Sequence, residues 1–318
     1  HFHNVLCLSE AKGMNIMMKS EKIESKRVKV SIGDRIYMLI IYLLLIFAAF
    51  ITLFPFMDVV FSSLASPKEI VETAKDVITI PKHPTLDNYR YVLSGNSIFK
   101  AYGVTIFRTV VGTLLNMVIT VLTAYPLSKK FLPGRSVIMQ LFFFTMIFSG
   151  GMIPTYLVVK SYHLTNTIWA LIVPGLLNVY NMIIMRTFFE GIPEDLEEAA
   201  RIDGCSEWKA LMKIILPVSK PALASVGLFY AVWHWNSFFD VVLYITKREL
   251  WPLQTLLREI VLTMSMAELN ASLADVATPP SSAVIAATVI VSILPILLVY
   301  PFLQKHFVKG VMIGAVKG

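Results

Sequence analysis

Charge is what this chain has little of: only 15% of its 318 residues are Asp, Glu, Lys or Arg, while 56% are hydrophobic. Ordinary soluble domains carry about 25% charged residues, so this composition points to an integral membrane protein. Cysteine is scarce too. Cys7 and Cys205 are the only two, too few and too far apart for a disulfide framework or a CxxC metal site. No GxxxxGK[ST] phosphate loop occurs, nor any Gly-Lys dipeptide, so the backbone cradle and lysine of a P-loop ATPase are missing. HExxH and GxSxG are absent as well, and no pair of carboxylates stands within the apolar runs to serve as acid and base. The six histidines are mostly isolated and assemble no metal site. An enzyme is not expected. The formal charge of +7 does not imply nucleic acid, because the basic residues flank apolar runs, where they orient helices in a membrane.

What is present is a series of long apolar runs. A helix needs about 20 such residues to cross the hydrocarbon core, and the expected spans are 36–57, 109–127, 137–159, 165–185, 222–245 and 282–303. The expected fold is therefore an all-α integral membrane protein with six transmembrane helices in one membrane domain, 36–318, after a cytoplasmic segment, 1–35. The stretch 1–13 has no clear pattern, and Met14, Met17 or Met18 stands as an alternative start. The basic residues that come after it and the length of the first run indicate a retained span, not a cleaved signal peptide. Pro67, Pro81 and Pro84 mark an external loop from Asp58 to about Lys100, and a second polar loop is expected from Lys247 to about Pro280. Eighteen Lys and Arg fall on one side of this topology and ten on the other, which places both termini in the cytoplasm. Ser149-Gly150-Gly151, Pro154, Pro174-Gly175 and Pro295 are kink sites within the runs.

The connection 186–221 has the chemistry of ordered structure. Pro193 suits a first helical turn, and Glu194, Asp195, Glu197 and Glu198 place negative charge at the positive end of a helix dipole. Asp203-Gly204 marks a tight break, and Ser206 can cap a second helix whose apolar residues Trp208, Leu211, Met212 and Ile215 recur at helical spacing until Pro217. Two short helices should meet at Gly204. Periodicity alone is equally compatible with an amphipathic hairpin on the membrane surface.

The particular residues go further. Glu198-Ala199-Ala200, Gly204, Ile214 and Leu216-Pro217, at their spacings, resemble the EAA signature of ABC importer membrane subunits, and Asp203 with Ile192-Pro193 resembles its carbohydrate branch. The stretches Phe148 to Val159, Leu164 to Thr167 and Phe307 to Gly318 look like oligosaccharide-permease subunits of the maltose-transporter class. This resemblance implies a type I importer permease fold with a cytoplasmic coupling helix. It further implies a second, related permease subunit forming a heterodimer, two cytoplasmic ATP-binding subunits that hold ATP and Mg, an extracytoplasmic sugar-binding protein, and no cofactor in this chain. In such proteins Glu198, Ala199, Ala200, Asp203, Gly204, Ile214, Leu216 and Pro217 would belong to the segment that docks on the ATPase. The loop from Lys247 would correspond to one that reaches the binding protein.

Trp233, Trp235, Asn236 and Asp240 form an aromatic and polar cluster in the fifth run. Aromatic faces stack on sugar rings, and amides and carboxylates bond hydroxyls, so these four are candidates for a substrate path. An aromatic belt at the membrane interface is the other reading. Asn116 and Thr120, one turn apart, suggest hydrogen bonds between helices. Arg108 is expected at a helix edge, reaching water by snorkelling.

Overall fold

The computed structural model describes residues 32–66, 69, 80–274 and 282–298. The expected N-terminal segment, apart from its last few residues, the C-terminal stretch 299–318 and the loop residues 275–281 lie outside the described residues. Every regular element among the described residues is helical.

The chain divides into two units at Pro55. The described part of the first belongs to α1, Ile32–Leu64, whose 33 residues extend about 50 Å. Its apolar side chains, such as Leu39, Leu43, Phe47 and Phe50, are exposed, as suits contact with lipid or a protein partner.

The second unit is built around α3, Asn96–Ser128, which packs against α9, Lys220–Asn236, and α6, Val179–Glu190. Their shared core includes Val121, Ala124, Met182, Met185, Val226 and Tyr230. A second core joins α2, Asp87–Ser94, and α3 to α11, Leu253–Ala274, and α12, Ser282–Leu298, through Val92, Ile98, Leu253, Leu256 and Ala287. Small buried side chains on α12, among them Ala283, Ala286 and Ala287, let helix backbones approach closely.

Several expected spans take a different form. Among the described residues, α1 and α3 are long and apolar enough to cross alone, and the number rises to five if each of three bent pairs is one span. The third expected span is two helices, α4, Arg135–Ile147, and α5, Met152–Ser161, bent by 114°. Each is shorter than a straight crossing requires. The break falls at the expected glycines. Gly151 has φ 88° and ψ 170°, a region essentially reserved for glycine. The fourth is two 3₁₀ turns, Ile168–Leu171 and Val173–Gly175, with α6 after them at a 50° bend. The fifth ends its main helix at Asn236 and resumes as α10, Phe239–Tyr244.

Two supposed loops are partly helical. The second helix begins at Asn96, thirteen residues early, and much of the polar stretch after Lys247 is the 22-residue α11. Leu253, Leu256, Leu257 and Ile260 stand at helical spacing, and the hydroxyl of Thr105 receives the backbone N–H of Leu253 at 2.8 Å. Asn166, in the stretch Leu164 to Thr167, has a positive φ of 58°. Its side-chain oxygen accepts from Thr246 N at 2.7 Å, Thr246 Oγ1 at 2.8 Å and Lys247 N at 3.2 Å, fastening the turn after α5 to the end of α10.

Candidate functional site

The connection after α6 folds as two short helices, α7, Glu194–Ile202, and α8, Glu207–Val218. Pro193 occupies the N-cap of α7, one position before the expected first turn. Gly204 has φ 77°, a left-handed conformation that costs other residues about 1–2 kcal/mol. The hydrogen bonds explain the spacing of the motif. Cys205 N donates to Ala200 O at 2.9 Å and Gly204 N donates to Arg201 O at 3.1 Å, which is the paired closure of a Schellman C-cap. Ala200 and Gly204 are thus the two ends of one turn, and Ala200 is buried beneath it. Ser206 then caps α8 by accepting from Lys209 N at 3.4 Å.

Beyond this break the helix does not stop at Pro217, as the sequence suggests. Leu211–Ile215 widens into a π-turn and the helix runs on to Val218. A π-turn re-registers the backbone, and here it precedes Pro217, which has no N–H to offer. Ser219 ends α8: its N–H and its hydroxyl both donate to Ile215 O, at 2.9 and 2.7 Å. The chain then turns by 83° into α9. Ile215 is buried and Leu211 nearly so, whereas Leu196, Ile202, Trp208 and Met212 are exposed. Glu198, Ala199 and Asp203 are exposed on the same two-helix segment. The outcome is a two-helix segment, anchored in the first core by Leu211 and Ile215, whose outer face presents apolar side chains beside carboxylates.

At the other end of α9 a buried polar network occupies the bundle. Asn116 Nδ2 donates to Gly175 O at 2.6 Å and Leu176 O at 2.9 Å, satisfying carbonyls freed by the Pro174-Gly175 break. With its amide nitrogen so engaged, Asn116 Oδ1 accepts from His234 Nε2 at 2.7 Å. Thr120 and Tyr230 hydroxyls meet at 2.8 Å, so both predicted interhelical residues hold neighbouring segments together. Arg108 does not snorkel. Its side chain is fully buried and ion-paired with Asp240, and its guanidinium also donates to Ser237 O and Leu171 O, each at 3.3 Å. A buried arginine is tolerable in an apolar bundle only with such partners, and Asp240 together with the two carbonyls supplies them.

The four candidate path residues therefore separate. Trp233 and Asn236 are exposed; Trp235 is buried in the second core, and Asp240 is turned to Arg108. Trp233 lies over Gly175, where an added Cβ would come within 2.5 Å of its ring. Gly112 is equally tight against His234. Gly112→Ala is accordingly expected to push His234 off Asn116 and cost about 1–3 kcal/mol, seen as a lower melting temperature of the purified protein in detergent. Gly103→Ala, with nothing within 4 Å, should leave that temperature unchanged or slightly raised.

The chain as a whole resembles known proteins. Residues 23–313 match the family described as binding-protein-dependent transport system inner membrane component. The chain belongs to that family. It is 45% identical over 290 residues to the polygalacturonan/rhamnogalacturonan transport system permease protein YtcP of Bacillus subtilis, covering 90% of this chain and 99% of that one. It is 46% identical over 268 residues to protein LplC of the same organism, covering 84% and 90%. A solved bacterial ABC transporter involved in the import of the acidic polysaccharide alginate contains a chain of the same fold, with a TM-score of 0.79 and 32% identity. The match covers 87% of this chain and 98% of that one. The fold is thus that of type I ABC permeases.

Within this membrane component, sequence reasoning misses two things. One is the burial of Arg108 with Asp240; a charged residue in each of two runs expected to pack together is the available signal. The other is a set of ion pairs between the carboxylates of 190–197 and the basic turn Lys129 to Arg135. In the sequence those basic residues speak only for membrane orientation, and the carboxylates only for the helix dipole.

Proposed function

We propose that this chain is one of two permease subunits of an ATP-driven importer that moves an oligosaccharide across the cytoplasmic membrane, with six crossings and both termini inside. Its partner is a related permease subunit. Two cytoplasmic subunits bind ATP and Mg and dock on segment 186–221 around Glu198, Ala199, Ala200, Asp203, Gly204, Ile214, Leu216 and Pro217. An extracytoplasmic binding protein delivers the sugar. The observation that carries this reading is the Gly204 turn, which joins α7 and α8 into one segment with an exposed outer face at the foot of α9 in a member of this family. ATP binding and release move the docked segment, and α9 and its broken partners change access to the path. Trp233 and Asn236 are the path candidates with open surface.

Relatives named for polygalacturonan/rhamnogalacturonan and alginate support a uronic-acid-containing oligosaccharide as cargo. The test is ATP hydrolysis by the full complex in proteoliposomes, comparing oligogalacturonides with neutral maltooligosaccharides. Several-fold stimulation by the acidic sugars, dependent on the binding protein, is expected. Stimulation by neutral sugars alone would overturn the cargo class, and an assembled complex that responds to neither would overturn sugar import.

A further inference from the structure

The basic turn that joins α3 to α4 faces the two-helix segment, and their charges alternate in register. Lys129 pairs with Glu197 and lies over the Tyr125 ring, 4.5 Å from its centroid. Lys130 pairs with Glu194 at 3.1 Å. Glu190, at the end of α6, takes Arg135 from the start of α4 and, at 2.6 Å, Arg186 from its own helix. Arg186 Nε also donates to Leu127 O at 3.0 Å. The Tyr125 hydroxyl donates to Glu207 at 3.3 Å, and Glu207 is held at 2.9 Å by Arg201 across the Gly204 break.

These contacts are not equal. Lys130 and Glu194 are 83% and 81% exposed, where an ion pair contributes little. Lys129 and Glu197 are only 15% and 14% exposed, and the Tyr125 ring shields Lys129 from water on one side. Neither is deep enough to carry the full cost of a dry interior. Their pair is the strongest fastening between the turn and α7.

We infer that the Lys129–Glu197 pair, with Lys129 seated on Tyr125, is a non-covalent mechanical link, added to the two covalent ones, through which the docking segment moves the membrane helices. The covalent links run from α7 through Gly191 to Pro193 into α6, and from α8 through Ser219 into α9. The ionic link runs from α7 to the C-cap of α3, so a displacement of the segment shifts α3 together with α6 and α9. Without it, α7 can tilt on the ATPase while α3 stays behind. Lys129 and Glu197 are positioning residues and touch neither ATP nor sugar. This inference rests on the proposed docking of segment 186–221.

The test is transport per ATP hydrolysed in the full reconstituted complex, with basal ATP hydrolysis measured alongside. Lys129→Glu is expected to keep assembly and basal hydrolysis while lowering transport per ATP about tenfold, within the usual range of coupling free energies. Glu197→Lys, within the docking segment itself, should lower transport per ATP by a similar factor. The swapped double variant, K129E with E197K, should recover most of the loss, which shows that the pair and not either charge alone carries the effect, while unchanged assembly and basal hydrolysis separate it from a structural fault. Lys130→Glu should change little. If K129E fails to assemble, the neutral pair K129Q with E197Q, which leaves no charge facing its like, takes its place with the same loss expected. Unchanged transport per ATP in either variant, or no recovery in an assembled swap, overturns the link. A wild-type complex whose hydrolysis ignores sugar and binding protein would instead remove the docking reading, and the link with it.

Discussion

Substituting Gly204 with arginine is expected to abolish sugar-stimulated ATP hydrolysis while leaving the purified chain folded. The two halves of this result have separate causes. No atom lies within 4 Å of where a Cβ would stand on Gly204, so the bundle has nothing to clash with. The backbone, however, sits at φ 77°, which a residue with a side chain adopts at a cost of about 1–2 kcal/mol. That alone would lower the equilibrium constant for closing the turn by roughly 5–30-fold. Gly204→Ala isolates this conformational cost and should lower stimulated hydrolysis by at most that factor. Arginine adds a bulky cation on the exposed segment, where the ATPase is proposed to seat, and should remove the remainder. The checks are hydrolysis with binding protein and sugar, and the melting temperature of the chain in detergent. A Gly204→Arg complex that responds to sugar normally would show that the turn is not a docking element.

The second large effect is expected at Asp240. Removing its carboxylate leaves Arg108 charged and fully buried, with two carbonyls at 3.3 Å and the Trp233 ring, 5.9 Å away, as its remaining partners. Breaking a buried pair from one side costs about 3–5 kcal/mol, so Asp240→Ala should lower the melting temperature sharply or prevent accumulation in the membrane. Arg108→Met should be less harmful, because Asp240 keeps bonds from Ser237 Oγ and Val241 N, both at 3.0 Å. The double variant R108M with D240L should recover much of the stability, since an apolar pair of similar volume often replaces a buried ion pair without loss. A small change in Asp240→Ala would mean that water reaches Arg108.

How much of this is legible in the chain depends on which force sets each feature. Apolar runs reveal lipid-facing segments because burial in hydrocarbon depends on composition, and α1 and α3 contain the first two expected runs. The two helices meeting at Gly204 are legible for a local reason. Capping by Ser206 and the left-handed turn are decided within a few residues. Bends are only half legible. Gly150-Gly151 and Pro174-Gly175 mark where a helix can break, but the 50° bend at the second is held by a tertiary partner, Asn116, which claims the freed carbonyls of Gly175 and Leu176. Helix α11 is hidden because its polar residues resemble a loop until Thr105, 148 positions earlier, receives its first N–H. The fate of Trp235 and Asp240 is equally non-local. Both belong to a polar cluster in sequence, yet one faces a core and the other an arginine on a different helix.

The most direct measurement is uptake of a labelled oligogalacturonide into proteoliposomes that hold the full complex, with ATP sealed inside and binding protein outside. Ionophores are added in parallel to collapse any ion gradient. Accumulation that requires ATP and binding protein, and persists with ionophores present, is the expected result. Accumulation that proceeds without ATP and stops with ionophores would contradict it and make the chain part of a gradient-driven carrier.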